Sequence, residues 1–170
     1  MKVLLVNPEF PETYWSFRHA LSFEGKRGIF PPLGLMTVSS LLPRDCERRL
    51  VDLNVDPLKD SQIDWADMIF VTGMLSQKKS LHEVVKRCKQ KGKLIVLGGP
   101  YVTSTIEELP YADHIFQGEA ETTLPQFFED LKRGQTKRIY KAPERPPLSI
   151  SPIPDFGLVN LKKYSNMCVQ

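Results

Sequence analysis

Residues 94–104 read LIVLGGPYVTS, an apolar run that breaks directly into two glycines and a proline. Near-continuous apolarity is the pattern of a strand covered on both faces, as in a parallel sheet. Glycine at the end of such a strand usually means that something comes close to the backbone. The stretch therefore predicts a buried parallel strand whose carboxyl end faces a ligand.

Working outward, similar runs occur at 2–6 (KVLLV), 67–74 (DMIFVTGM) and 93–99 (KLIVLGG), with a weaker one at 113–118 (DHIFQG). A fifth, RRLVDLN at 48–54, alternates more and is flanked by charge, as an outer strand would be. Patterns of helical period lie between them: Leu81, Val84, Val85 and Cys88, then Leu124, Phe127, Phe128 and Leu131. A further helix is expected from Gly34 through Leu35, Val38, Leu41 and Leu42 to Pro43, where the proline ring would clash. A short one over 104–109 would link the last two strands. Strand and helix thus alternate, which calls for right-handed crossovers and a doubly wound α/β fold. The expected sheet is five-stranded, parallel and flavodoxin-like, in the order 2-1-3-4-5.

Two segments do not fit the short loops of that fold. Residues 8–33 form a connection far longer than the usual two to six residues, and such loops often carry function. The segment KAPERPPLSISPIPDFG is punctuated by proline and reads as an extended arm. The expected division is a binding domain over 1–140 and a linker or arm over 141–170.

Composition narrows the functional classes. The chain has 170 residues and 41% hydrophobic content, enough for one core. With 23 basic and 20 acidic residues the net charge is only +3, which gives no reason to expect a nucleic-acid partner. No apolar stretch is long enough to span a membrane, and a cytoplasmic location is expected. Cys46, Cys88 and Cys168 are odd in number and far apart, and His19, His82 and His114 share no ligand spacing with them, so no metal site is expected.

In an open parallel sheet the ligand lies beyond the carboxyl ends of the strands. Here those ends read VNPEF, VTGMLSQ, LGGPYVTS and QGEAETT, and three of the four carry glycine. The chain has neither a Gly-x-Gly-x-x-Gly after its first strand nor a Gly-Lys-Ser/Thr phosphate loop, which disfavours dinucleotides and triphosphates. The acidic cluster of a phosphorelay receiver is also missing. A flavodoxin-like flavin or nucleotide module stays open, as does a non-catalytic interaction domain.

The motifs KVLLVNP, FPPLGLMTVSSLLP, WADMIFVTGM, KLIVLGGPYVTS, FQGEAE and PIPDF resemble the cobalamin-binding domains that precede radical-SAM domains, particularly those of the hopanoid-methylase type. The resemblance implies a module that binds cobalamin with its nucleotide tail extended into the sheet edge. It places Thr72, Gly73 and Met74 at the third strand's turn. Gly98 and Gly99 form the pair against which benzimidazole and ribose pack, with Pro100 and Tyr101 as walls, and Gly118 and Glu119 form the turn after the fifth strand. Asn7, Pro8 and Gly34 complete the candidate set. In the family the parent enzyme also holds a [4Fe-4S] cluster and S-adenosylmethionine, and passes a cobalt-bound methyl group to a substrate radical.

No Cys-x-x-x-Cys-x-x-Cys motif occurs here, so this fragment is expected to bind and not to catalyse, with a C-terminal radical-SAM domain as its partner. The Asp-x-His-x-x-Gly motif that supplies a cobalt ligand in other cobalamin proteins is missing too. His19 lies in the long loop without that context, and Trp15 or Phe17 could instead face the cobalt.

Overall fold

The computed structural model describes residues 1–13, 18–105, 109 and 111–167, with Arg18 and His19 described through their backbone alone. The loop residues Trp15 and Phe17, the side chain of His19, and Cys168 therefore lie outside the described residues. The sheet has six strands: β1 (Lys2–Asn7), β2 (Glu47–Asp52), β3 (Met68–Thr72), β4 (Leu94–Gly98), β5 (His114–Gln117) and β6 (Ile139–Lys141). Their order is β2-β1-β3-β4-β5-β6, and every pairing is parallel. The expected order holds, with one strand added at the β5 edge.

The addition is β6. Only Tyr140 of its three residues is buried, so no apolar run marks it. The strand is pinned by the Tyr140 hydroxyl, which donates to Asp130 Oδ2 at 3.0 Å and accepts from the Lys137 amide at 2.9 Å.

Alternation along each strand sends side chains to two core layers. Leu4, Val6, Ile69, Ile95 and Leu97 pack under α3 (Asp60–Trp65), α4 (Lys78–Gln90) and α5 (Pro100–Ser104). Val3, Leu5, Phe70, Val96 and Phe116 pack under α2 (Leu33–Leu41) and α6 (Ala120–Lys132). The helical stripes behave as expected: Leu81, Val84, Val85 and Cys88 are buried on α4, and Leu124, Phe127 and Phe128 on α6. A six-residue helix, α1 (Arg18–Phe23), lies in the long loop after β1.

The linking helix departs from expectation: α5 begins at Pro100 and ends at Ser104, where the sequence predicts a helix over 104–109. The cause is local. Gly99 at φ 96° turns the chain sharply, and Pro100 occupies the first helical position, where its missing N–H costs nothing. Residues 106–108 lie outside the described residues.

Burial pushes the thiol of Cys88 up to about 11, and it also raises Cys46; both are packing residues. His114 is likewise structural, with Nδ1 2.7 Å from the Lys137 carbonyl.

The C-terminal arm folds back on the domain. Its 3-10 turns at Leu148–Ile150, Phe156–Leu158 and Leu161–Lys163 lead to Tyr164, whose hydroxyl donates to Asp52 Oδ2 at 3.0 Å. Burial and then the Asp52 charge hold the Tyr164 hydroxyl above its usual pKa. A group whose pKa is raised by folding stabilises fully below its unfolded value, about 10 for tyrosine, and that contribution fades as pH climbs further. At neutral pH, Tyr164→Phe is expected to cost about 1.5–3 kcal/mol, the range for hydrogen bonds to charged groups. In urea titrations the gap between wild type and variant should narrow above pH about 10. A gap that is absent at neutral pH, or constant across that range, would remove the bond from the account.

Candidate functional site

A cleft of about 270 Å³ opens between α2 and α6, over the carboxyl ends of β3, β4 and β5. Phe70, Val96 and Phe116 form its floor, and Leu35, Val38, Leu41 and Leu124 its helical walls. The floor is aromatic and layered: Phe70 and Phe116 stack with centroids 6.4 Å apart, and Phe116 stacks in turn on Tyr140 at 5.4 Å. Among the described residues no Lys, Arg or His lines the cleft. Its polar groups are Thr37, Thr72, Glu119 and Glu121. The Thr37 hydroxyl already donates to the Leu33 carbonyl at 3.0 Å, and Glu121 Oε1 accepts from Ser151 Oγ at 2.8 Å.

The glycines at this edge divide by what a side chain would meet. At Gly99 a Cβ would stand 2.3 Å from Thr72 Oγ1 and 3.1 Å from the Gly73 amide nitrogen, so close packing of α5 on β3 demands glycine. The Tyr101 amide completes that contact by donating to the Gly73 carbonyl at 3.1 Å. Gly73 is also a packing glycine, because its Cβ would lie 2.8 Å from Leu81 Cδ1. Gly98 and Gly34 differ. A Cβ on Gly98 would meet nothing nearer than Phe116 Cβ at 3.8 Å, and one on Gly34 nothing within 4 Å. Both line the cleft, and the space they leave is room for a ligand.

Of the residues expected from sequence, Gly34, Thr72, Gly98, Gly99, Pro100, Gly118 and Glu119 come together around this cleft. The others do not line it. Tyr101 packs in the opposite layer, where its hydroxyl is 3.0 Å from His82 Nε2. Asn7, Pro8 and the Gly73–Met74 turn belong to a polar cluster beyond β1 and β3. Asn7 Nδ2 donates to Asp52 Oδ1 at 2.9 Å, and Gln77 Nε2 donates to the Pro8 carbonyl at 2.5 Å. Gln77 Oε1 accepts from the Met74 amide at 2.9 Å. Leu35, Val38 and Leu41 on α2 and the floor phenylalanines are absent from the sequence-based set, because periodicity marks them as core without saying which core positions border a void.

A family model described as the B12 binding domain matches residues 26–128, most of the chain. The chain belongs to the B12-binding domain family. An uncharacterized methyltransferase of Synechocystis sp. is 41% identical over 172 residues, covering 100% of this chain and 32% of the relative. The hopanoid C-2 methylase of Rhodopseudomonas palustris is 26% identical, covering 96% of this chain and 32% of that protein. The bacteriochlorophyllide d C-12(1)-methyltransferase of Chlorobaculum tepidum is 25% identical over 80% of this chain and 31% of its own. The chain thus spans about a third of the length of the curated relatives it matches. Among the described residues no cluster of His, Cys, Asp and Glu could hold a metal ion, and no helix is long and apolar enough to cross a membrane.

The two glycine classes make opposite predictions. Gly99→Ala is expected to lose about 1–3 kcal/mol from backbone strain alone, with the Thr72 clash in addition. Gly98→Val should keep wild-type stability to within about 1 kcal/mol, as for a surface-like change. Urea denaturation of both variants checks this, and equal losses would show that Gly98 is a packing glycine too.

Proposed function

We propose that this B12-binding domain holds cobalamin with the nucleotide tail in the α2–α6 cleft, base-off and without a histidine on cobalt. We further propose that it serves as the methyl-carrying module of a radical-SAM methyltransferase. The carrying observation is the unfilled space at Gly98 and Gly34, above a floor of stacked phenylalanines. A flat heteroaromatic base needs an apolar slot with few side chains in the way, and ligand sites of this kind begin at about 300 Å³. The cleft is close to that lower bound, which suits a base with its ribose and excludes a macrocycle.

In this reading Gly98, Gly99 and Pro100 form one wall and Gly34 and Leu35 the facing one. Thr72, Glu119 and Glu121 offer acceptors to sugar hydroxyls, and Gly118 shapes the turn that presents Glu119. Asn7, Pro8, Gly73, Met74 and Tyr101 would act from behind, fixing the turns. Bound cobalamin would supply a methyl group carried on cobalt. The [4Fe-4S] cluster, S-adenosylmethionine and the radical-SAM domain would belong to the remainder of a longer protein; that the chain spans about a third of its methyltransferase relatives supports a further domain there. The flavin or nucleotide alternative draws less support, because a cleft lined by no lysine or arginine among the described residues offers no countercharge to the dianionic phosphate of FMN or the triphosphate of ATP, whereas the cobalamin tail carries a single monoanionic phosphodiester.

The test is to mix the protein separately with hydroxocobalamin, FMN and ATP, desalt each mixture and record its spectrum. Cobalamin should stay with the protein and the other two should not. Gly98→Val should weaken retention by at least about tenfold, the factor worth about 1.4 kcal/mol. The cobalt(II) form should show no nitrogen splitting in electron paramagnetic resonance. Retention of FMN in place of cobalamin, or full retention by Gly98→Val, would overturn the cleft assignment. Splitting that vanishes in His19→Ala would make His19 the lower ligand.

A further inference from the structure

The C-terminal arm lies beyond the residues that the family model matches, yet it touches both helical walls of the cleft from outside. At Ser151 it donates to Glu121 of α6, a cleft residue. It then reaches α2, where the Ile153 carbonyl accepts from Ser40 Oγ at 2.7 Å. Next, the Asp155 amide donates to the Met36 carbonyl at 3.0 Å, and Asp155 Oδ2 accepts from Ser39 Oγ at 3.2 Å. Beyond Leu158 the arm pairs with the loop before α2. The Arg27 amide donates to the Lys163 carbonyl at 2.8 Å, the Ser165 amide to the Gly28 carbonyl at 3.0 Å, and the Asn166 amide to the Ile29 carbonyl at 2.8 Å.

Among the described residues the arm's one buried side chain is Tyr164, with Leu158 packed partly buried against the core layer of α2 and α6. Leu148 and Ile153 are 79% and 84% exposed, whereas Tyr164 is 5% exposed. The Tyr164 ring lies on Gly28, so close that a Cβ there would stand 2.9 Å from Cδ1 and 3.0 Å from Cε1. A segment held mainly by polar contacts, with one buried side chain and one partly buried apolar anchor, belongs to the low-stability end of a fold and can open as a unit.

We propose that residues 151–166 form a strap that braces α2 against α6, with Tyr164 on its Gly28 seat as the latch, and that latching sets how long a ligand stays in the cleft. Tyr164 is a positioning residue: it acts through α2 and lines no part of the cleft itself. The inference about the strap stands on the fold alone. Only its consequence for ligand residence rests on the cobalamin reading.

Tyr164→Ala and Gly28→Ala release the latch from its two sides. Hydrogen exchange on the ligand-free chain reads the brace directly. In both variants residues 33–42 should exchange at least about tenfold faster, while 68–72 and 94–98 keep wild-type protection. Wild-type exchange over 33–42 in both variants would overturn the strap. So would equal loss of protection in the central strands, which would make the arm part of the core; Tyr164→Phe, a milder change, should then show the same global loss. With the wild type loaded with hydroxocobalamin, both released variants should shed it at least about fivefold faster. Unchanged release rates with a loosened α2 would refute the latch's role in residence. Failure of the wild type to retain hydroxocobalamin would count against the cofactor reading and leave the exchange result to decide the strap.

Discussion

Asp52 is a carboxylate only 5% exposed, at the carboxyl end of β2, and the edge of the sheet is organised around keeping it hydrogen-bonded. A buried charge without partners would be strongly destabilising. Its Oδ1 accepts from Asn7 Nδ2 at 2.9 Å, from the Asn54 amide at 3.0 Å and from Asn54 Nδ2 at 2.7 Å, and its Oδ2 accepts from Tyr164 at 3.0 Å. Asn7 Oδ1 is bonded in turn by Gln77 Nε2 at 3.3 Å. One carboxylate thereby links the ends of β1 and β2, the turn after β3 and the C-terminal arm.

The consequence is where the opening lies. Ligands of doubly wound sheets usually sit at the switch point, here between β1 and β3. Asn7, Pro8 and Gln77 occupy the end of that junction with polar groups that are already bonded to one another. The cleft opens instead over β3, β4 and β5, on the face of α2 and α6. On that face the ends of β4 and β5 carry Gly98 and Gly118, and the stacked phenylalanines beneath leave an apolar floor.

The central strands were legible because each is an unbroken apolar run, and α4 and α6 because their buried residues repeat at helical spacing. Short elements escaped: α3 buries only Ile63 and β6 only Tyr140, so neither leaves a periodic trace. The cleft was half legible. Glycine after a strand signals close approach, but the approaching group can be the protein itself, as Thr72 is at Gly99, or empty space, as at Gly98. Spacing cannot separate these cases. Tyr101 shows the same limit, since its place beside a glycine pair says nothing about which face of α5 it takes. The proline-punctuated segment reads as an extended arm or linker because its one deep anchor, Tyr164, stands among mostly polar neighbours and leaves no periodic trace.

In the binding mode proposed above, the cleft grips the nucleotide tail of cobalamin and leaves the corrin outside. This mode is tested most directly by comparing the affinity of this chain for cobalamin with that for cobinamide, which has the same corrin and lacks the nucleotide. Titration by absorbance should show cobinamide binding at least about tenfold more weakly, a difference of about 1.4 kcal/mol or more. Equal affinity for the two would mean that the tail is not held in the cleft, and would contradict the account.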